Sequence, residues 1–124
     1  MTEIWPTELR VSKDRRVLNV TFNDGQAYAL SAEMMRVLSP SAEVQGHGPG
    51  QKVTVPGKRD VGIGSLTPAG NYAVRVGFDD GHNSGIFTWR YLRELGADGD
   101  EMFRQYEDEL AAKGLSRDGI GRTR

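Results

Sequence analysis

The sequence predicts a small α+β domain: an antiparallel sheet, a short helix after its first meander, and a C-terminal helix packed on the sheet. Three observations carry that prediction. Alternating apolar and polar residues recur in short runs, which is the period of strands with one buried face. Glycine, asparagine and aspartate clusters separate the runs at hairpin spacing. A single sustained helical stripe, Met102, Phe103, Tyr106 and Leu110, comes late in the chain.

The elements follow in order. Leu9 and Val11 alternate with Arg10 and Ser12, and after Lys13-Asp14-Arg15 the set Leu18, Val20 and Phe22 alternates with Asn19 and Thr21. Asn23-Asp24-Gly25 tolerates positive φ and leads into Tyr28 and Leu30, so the opening reads as a three-stranded meander. Ser31 can cap a short helix with Glu33 in its first turn and an apolar face of Met34, Met35 and Leu38, stopped by Ser39-Pro40. Ser41 to Gly50, with three glycines and a proline, reads as a loop. Val53, Val55, Val61 and Ile63 suggest short extended pieces, with Gly62-Ile63-Gly64 near a bulge and Thr67-Pro68-Ala69-Gly70 as a turn.

The clearest strand places Tyr72, Val74, Val76 and Phe78 on one face, turns at Asp79-Asp80-Gly81 and returns through Gly85 to Thr88. Leu18, Val20, Phe22, Tyr72, Val74, Val76 and Phe78 are the expected core. Trp89, Leu92 and Leu95 then indicate a short helix ended by Gly96. A second helix, capped by Asp98 or Asp100, runs to Gly114, and 115–124 has too little apolar surface to offset its ordering entropy and is expected to be a mobile tail.

Composition narrows the function. At 124 residues the chain is one domain, with 16 Lys and Arg against 17 Asp and Glu, so no bulk field draws it to nucleic acid or an acidic membrane. Cysteine is absent, which removes disulfides, thiolate metal sites and a cysteine nucleophile together. With no signal-peptide pattern and no run near ~18 apolar residues, the expected location is cytoplasmic.

Three segments carry a resemblance to a known family. Trp5 to Leu9, Leu38 to Gly48, and Asn71 through Trp89 with its Asp80-Gly81-His82-Asn83-Ser84-Gly85 centre resemble the gamma-butyrobetaine hydroxylase-like N-terminal domain (domain of unknown function 971). The resemblance covers 1–97, with 98–114 as the C-terminal helix of the same domain. It implies an accessory module beside iron chemistry, with an iron–sulfur carrier or iron-dependent enzyme as partner, and does not imply hydroxylase activity. In the hydroxylases this module holds zinc through three cysteines and a histidine; here Ser39, Ser41 and Val44 stand at the thiolate positions and His82 at the histidine. The resemblance therefore raises zinc or iron as a cofactor while the residues argue that the site is lost, and no cofactor is expected. The protein is expected to fold fully without metal.

The leading expectation is thus a binding or adaptor module without catalytic residues of its own, meeting a protein through Gln45, Gly46, His47, Gly48, Gly50 and Gln51 together with the turn from Asp79 to Ser84. Both segments are polar, carry the only two histidines, and offer loop backbone to a partner. Exposed histidines there would change stability by less than ~1 kcal/mol on truncation. The rival is a metal site in which His47 and His82 join Glu43, Asp79 and Asp80 around a divalent ion. His82 can equally hydrogen-bond its own turn, His47 can sit in a mere connection, and Lys58-Arg59-Asp60 can be an anion patch or a charged turn. Neither nucleic acid nor membrane is an expected partner.

Overall fold

A computed structural model describes residues 3–46, 50 and 52–120. Strands β1 (Pro6–Val11), β2 (Val17–Phe22) and β3 (Ala27–Ser31) form an antiparallel sheet in that order. Leu18 faces Leu30 and Val20 faces Tyr28 across β2 and β3. Leu18, Val20 and Phe22 are buried as their alternation requires. Gly25 takes the positive φ that the Asn23-Asp24-Gly25 turn demands, and the Asp24 carboxylate accepts from the Gln26 amide.

Strands β4 (Ile63–Pro68), β5 (Ala73–Phe78) and β6 (Gly85–Thr88) form a second three-stranded antiparallel sheet. Its register shifts between Ile63 and Ser65, the bulge expected around Gly64. Val74, Val76 and Phe78 are buried. Tyr72 is the exception among the expected core residues, at 63% exposed. The paired strand begins one residue later, and Tyr72 instead lines an open groove. The sheets meet where the β1–β2 turn touches β4: the Ile63 amide donates to the Arg15 carbonyl at 2.7 Å.

Helix α1 (Ala32–Val37) is capped by Ser31, whose hydroxyl accepts from the Met34 amide. A second short helix, α2 (Ala42–Gln45), occupies part of the expected loop; Ser41 caps it by accepting from the Glu43 amide. Helix α3 (Trp89–Ala112) is one continuous helix of 24 residues capped by Thr88, where the sequence suggested two. Gly96 does not stop it, and Asp98 and Asp100 are interior rather than caps. A Cβ on Gly96 would overlap the Tyr28 ring, and one on Gly99 would lie 2.8 Å from the Met34 sulfur. These glycines are contact points at which α3 lies against β3 and α1, and tertiary packing overrides their poor helix propensity. Gly114, at positive φ, does end the helix.

Beyond it, the stretch expected to be a mobile tail forms a small hairpin over its described part, β7 (Leu115–Ser116) with β8 (Gly119–Ile120). Leu115 packs against the core, and the rest of the ordering is polar. Arg117 grips the buried Glu33 carboxylate through two bonds of 2.6 Å and lies over the Phe103 ring, while Gly57 and Arg59 amides donate to the Ser116 and Arg117 carbonyls. Charge-assisted pairs of this kind supply what the missing hydrophobic area does not.

Candidate functional site

The turn between β5 and β6 swings back onto α2. His82, 5% exposed, is fixed at both ring nitrogens. Nε2 lies 3.0 Å from the Ser39 hydroxyl and Nδ1 2.9 Å from a Glu43 carboxylate oxygen. A carboxylate only accepts, so in the neutral ring Nδ1 carries the proton and Nε2 accepts from Ser39, whose oxygen in turn accepts from the Ser41 amide at 3.3 Å. Next to it the Ser41 and Ser84 hydroxyls are 2.7 Å apart. The Gln45 side-chain amide donates through Nε2 to the Ser39 carbonyl at 2.8 Å. Tyr91 donates to the Leu38 carbonyl at 2.5 Å, and burial pushes its phenol up to about 12. The segment from Leu38 to Gln45 is thereby tied to the hairpin and to α3.

Serine, histidine and carboxylate in this order have the connectivity of a hydrolytic triad, but the exposure is inverted. Glu43 is solvent-facing while Ser39 is fully buried. Gly85 lies directly over the serine, so close that a Cβ there would be 2.5 Å from the hydroxyl oxygen. A nucleophile must reach its substrate, and this one is covered. The arrangement joins two segments.

Asp80 anchors the other side of the turn. One carboxylate oxygen accepts from the His82 amide, and the other takes Arg36 at 2.8 Å and Lys58 at 2.7 Å. Burial alone would raise its pKa, yet Lys58, the His82 amide and Arg36 outweigh that effect and hold it down to about 2. Arg59 pairs with Asp118 and Asp60 with Arg16, so Lys58-Arg59-Asp60 is a charge-balanced turn beside a recess of about 700 Å³.

The residues at the family's zinc positions come together, but as a hydrogen-bonded cluster. Ser39 and Ser41 bond to His82 and Ser84, and Val44, 1% exposed, has no donor atom and sits in the core. That set does not fit zinc. Of the mixed site, His47 lies outside the described residues; among the described residues no three His, Asp or Glu side chains gather around a point that an ion could occupy. Of the expected partner-binding residues, Gln45 and Gly46 close α2, and Gly50 is exposed at positive φ. His47, Gly48 and Gln51 lie outside the described residues. The expectation of an exposed His82 is corrected, because the ring fills the gap between turn and helix.

One feature was not legible from periodicity. Trp5, Tyr72 and Trp89 line a groove of about 900 Å³. Trp89, expected in the sequence as the start of a short helix, donates its indole N–H to the Asn71 carbonyl at 3.0 Å. Trp5 is 47% exposed, although its backbone is fastened to Asn23 by bonds of 3.1 and 2.9 Å.

Among the described residues no helix is long and apolar enough to cross a membrane. Curated proteins include no match to this chain. Two proteins with NMR solution structures are similar. The first is 44% identical, with a TM-score of 0.80 over 95% of this chain and 93% of its own. The second is 40% identical, with a TM-score of 0.78 over 96% and 90%. A crystal structure of a protein of unknown function from Acidithiobacillus ferrooxidans, of the DUF971 family, is 41% identical, with a TM-score of 0.61 over 74% of this chain and 92% of its own. The family model described as gamma-butyrobetaine hydroxylase-like, N-terminal, matches residues 9–93, which span both sheets, the histidine cluster and the start of α3. The chain therefore belongs to the gamma-butyrobetaine hydroxylase-like N-terminal domain family.

Proposed function

We propose that this chain is an accessory binding module that meets a protein partner on the face formed by α2, the loop that follows it and the β5–β6 turn. The observation that carries the reading is the pairing of these segments through His82 with Ser39 and Glu43, and through Ser41 with Ser84. A preorganised pair of polar segments loses less ordering entropy on association than two free loops do. Glu43, Asn83, Ser84 and Gly50 are exposed on these segments, so charge and backbone groups remain for a partner. The resemblance to modules that stand beside iron chemistry supports an iron-dependent enzyme or an iron–sulfur carrier as the partner class. The buried Ser39 supports a role in binding rather than in hydrolysis.

The test is affinity capture from native cell extract with the wild type and with Glu43→Gln/Asn83→Lys. Glutamine keeps an acceptor for His82, so the fold is retained while the face changes charge. A partner held by the wild type and lost by the double variant supports the reading. Identical capture by both would move the binding face elsewhere.

A further inference from the structure

The groove of Trp5, Tyr72 and Trp89 uses none of the residues of that face. We propose that it is a second docking site, for an extended proline-containing segment of a partner protein with a carboxylate side chain. Three aromatic side chains, Trp5 at 47% and Tyr72 at 63% exposed with Trp89 half-buried between groove and fold, are more aromatic surface than packing requires. Their backbones are rigidly held: the Trp89 amide donates to the Tyr72 carbonyl at 2.8 Å, and Trp5 is fastened to Asn23. An aromatic-lined groove on a held backbone suits a polyproline II strand, which arrives already extended and loses little entropy on binding.

Charge selects the acidic version of that strand. Arg90 lines the groove, is exposed, and has no ion-pair partner among the described residues. Arg93 beside it is neutralised by Asp24, with two bonds of 3.1 and 2.7 Å, so among the described residues that line the groove Arg90 is the cation without an ion pair. Helix α3 also begins here without an acidic residue in its first turn, which adds the positive end of its dipole. Glu3 also lines the groove and opposes an acidic strand, so the preference rests on Arg90 together with the helix terminus.

Both of the chain's tryptophans line the groove, so intrinsic emission reports occupancy directly. The probe is a proline-rich peptide of about nine residues, extended at ~3.1 Å per residue, with two glutamates and no aromatic residue. The expected result is a saturable shift of tryptophan emission. Replacing the glutamates by lysines, or Tyr72 by alanine, should weaken binding at least about tenfold, as loss of a binding hot spot does. Arg90→Glu should reverse the preference between the two peptides. No saturable change, or equal binding of the acidic and basic peptides, would overturn the proposal. So would a concentration-dependent dimer in sedimentation that Tyr72→Ala abolishes, since the groove would then hold a second copy of the chain. Tyr72 is exposed, so its variant is expected to fold; Trp5→Ala is the independent check.

Discussion

Replacing His82 with alanine removes a buried ring that touches three elements. Two hydrogen bonds disappear, to Ser39 at 3.0 Å and Glu43 at 2.9 Å, as does the contact with Phe78 at 6.0 Å between ring centres. The two ends of the cluster respond differently. Glu43 is solvent-facing and rehydrates, so its loss costs little. Ser39 is fully buried, and its hydroxyl hydrogen is left without an acceptor, a penalty of about 1–3 kcal/mol. The vacated space adds a cavity term, and the total should come to about 2–4 kcal/mol. Urea unfolding of the wild type, His82→Ala and Glu43→Gln measures it, with Glu43→Gln expected within about 0.5 kcal/mol of wild type. A loss below ~1 kcal/mol for His82→Ala at unchanged m-value, the range of exposed positions, would refute the assignment of this ring as the link between turn and α2.

Three further outcomes follow from the same geometry. Asp80 has a folded-state pKa of about 2 against an ordinary 3.8, so its contribution is complete above about pH 4 and is lost as pH falls through about 2. Thermal melts between those values should show a smaller acid-dependent fall in Tm for Asp80→Asn, and an unchanged slope would count against the Lys58 and Arg36 pairing. Gly96→Ala gains about 1 kcal/mol of helix propensity but drives a methyl into the Tyr28 ring, an overpacking cost of typically 1–3 kcal/mol, so denaturant melts should show no net stabilisation. A strong chelator should leave the Tm unchanged; stoichiometric zinc or iron in the purified protein, with loss of structure on its removal, would contradict the reading of Ser39, Ser41 and Val44 as a metal-free cluster.

Much of the fold was legible because its signals are local. Leu18, Val20 and Phe22 alternate and are buried, Ser31 caps α1, and the glycine turns fall where positive φ is required. The misses are tertiary. Gly96 looks like a helix stop and is a place for Tyr28; Tyr72 has the parity of a core residue but precedes the paired strand and is exposed. The hairpin after Gly114 shows only a single apolar residue in contact with the core, Leu115, and much of its order comes from Arg117 and Glu33, 84 positions apart. At the site, the family resemblance put Ser39 and His82 at ligand positions of one site, and the rival metal site grouped His82 with Glu43; what spacing did not show is that hydrogen bonds to Ser39 and Glu43 take both ring nitrogens. The aromatic groove was hidden for a related reason: Trp5, Tyr72 and Trp89 come from three segments, and only their convergence distinguishes them from core aromatics.

The most direct measurement on the central claim is amide chemical-shift mapping of the isotopically labelled chain during titration with the partner that the wild type captures. Saturable shifts concentrated from Ser39 to Gly46 and from Asp80 to Ser84, and lost in Glu43→Gln/Asn83→Lys, are the predicted result. Shifts confined to the exposed side of α3, around Arg104 and Asp108, with those two segments unmoved, would contradict it.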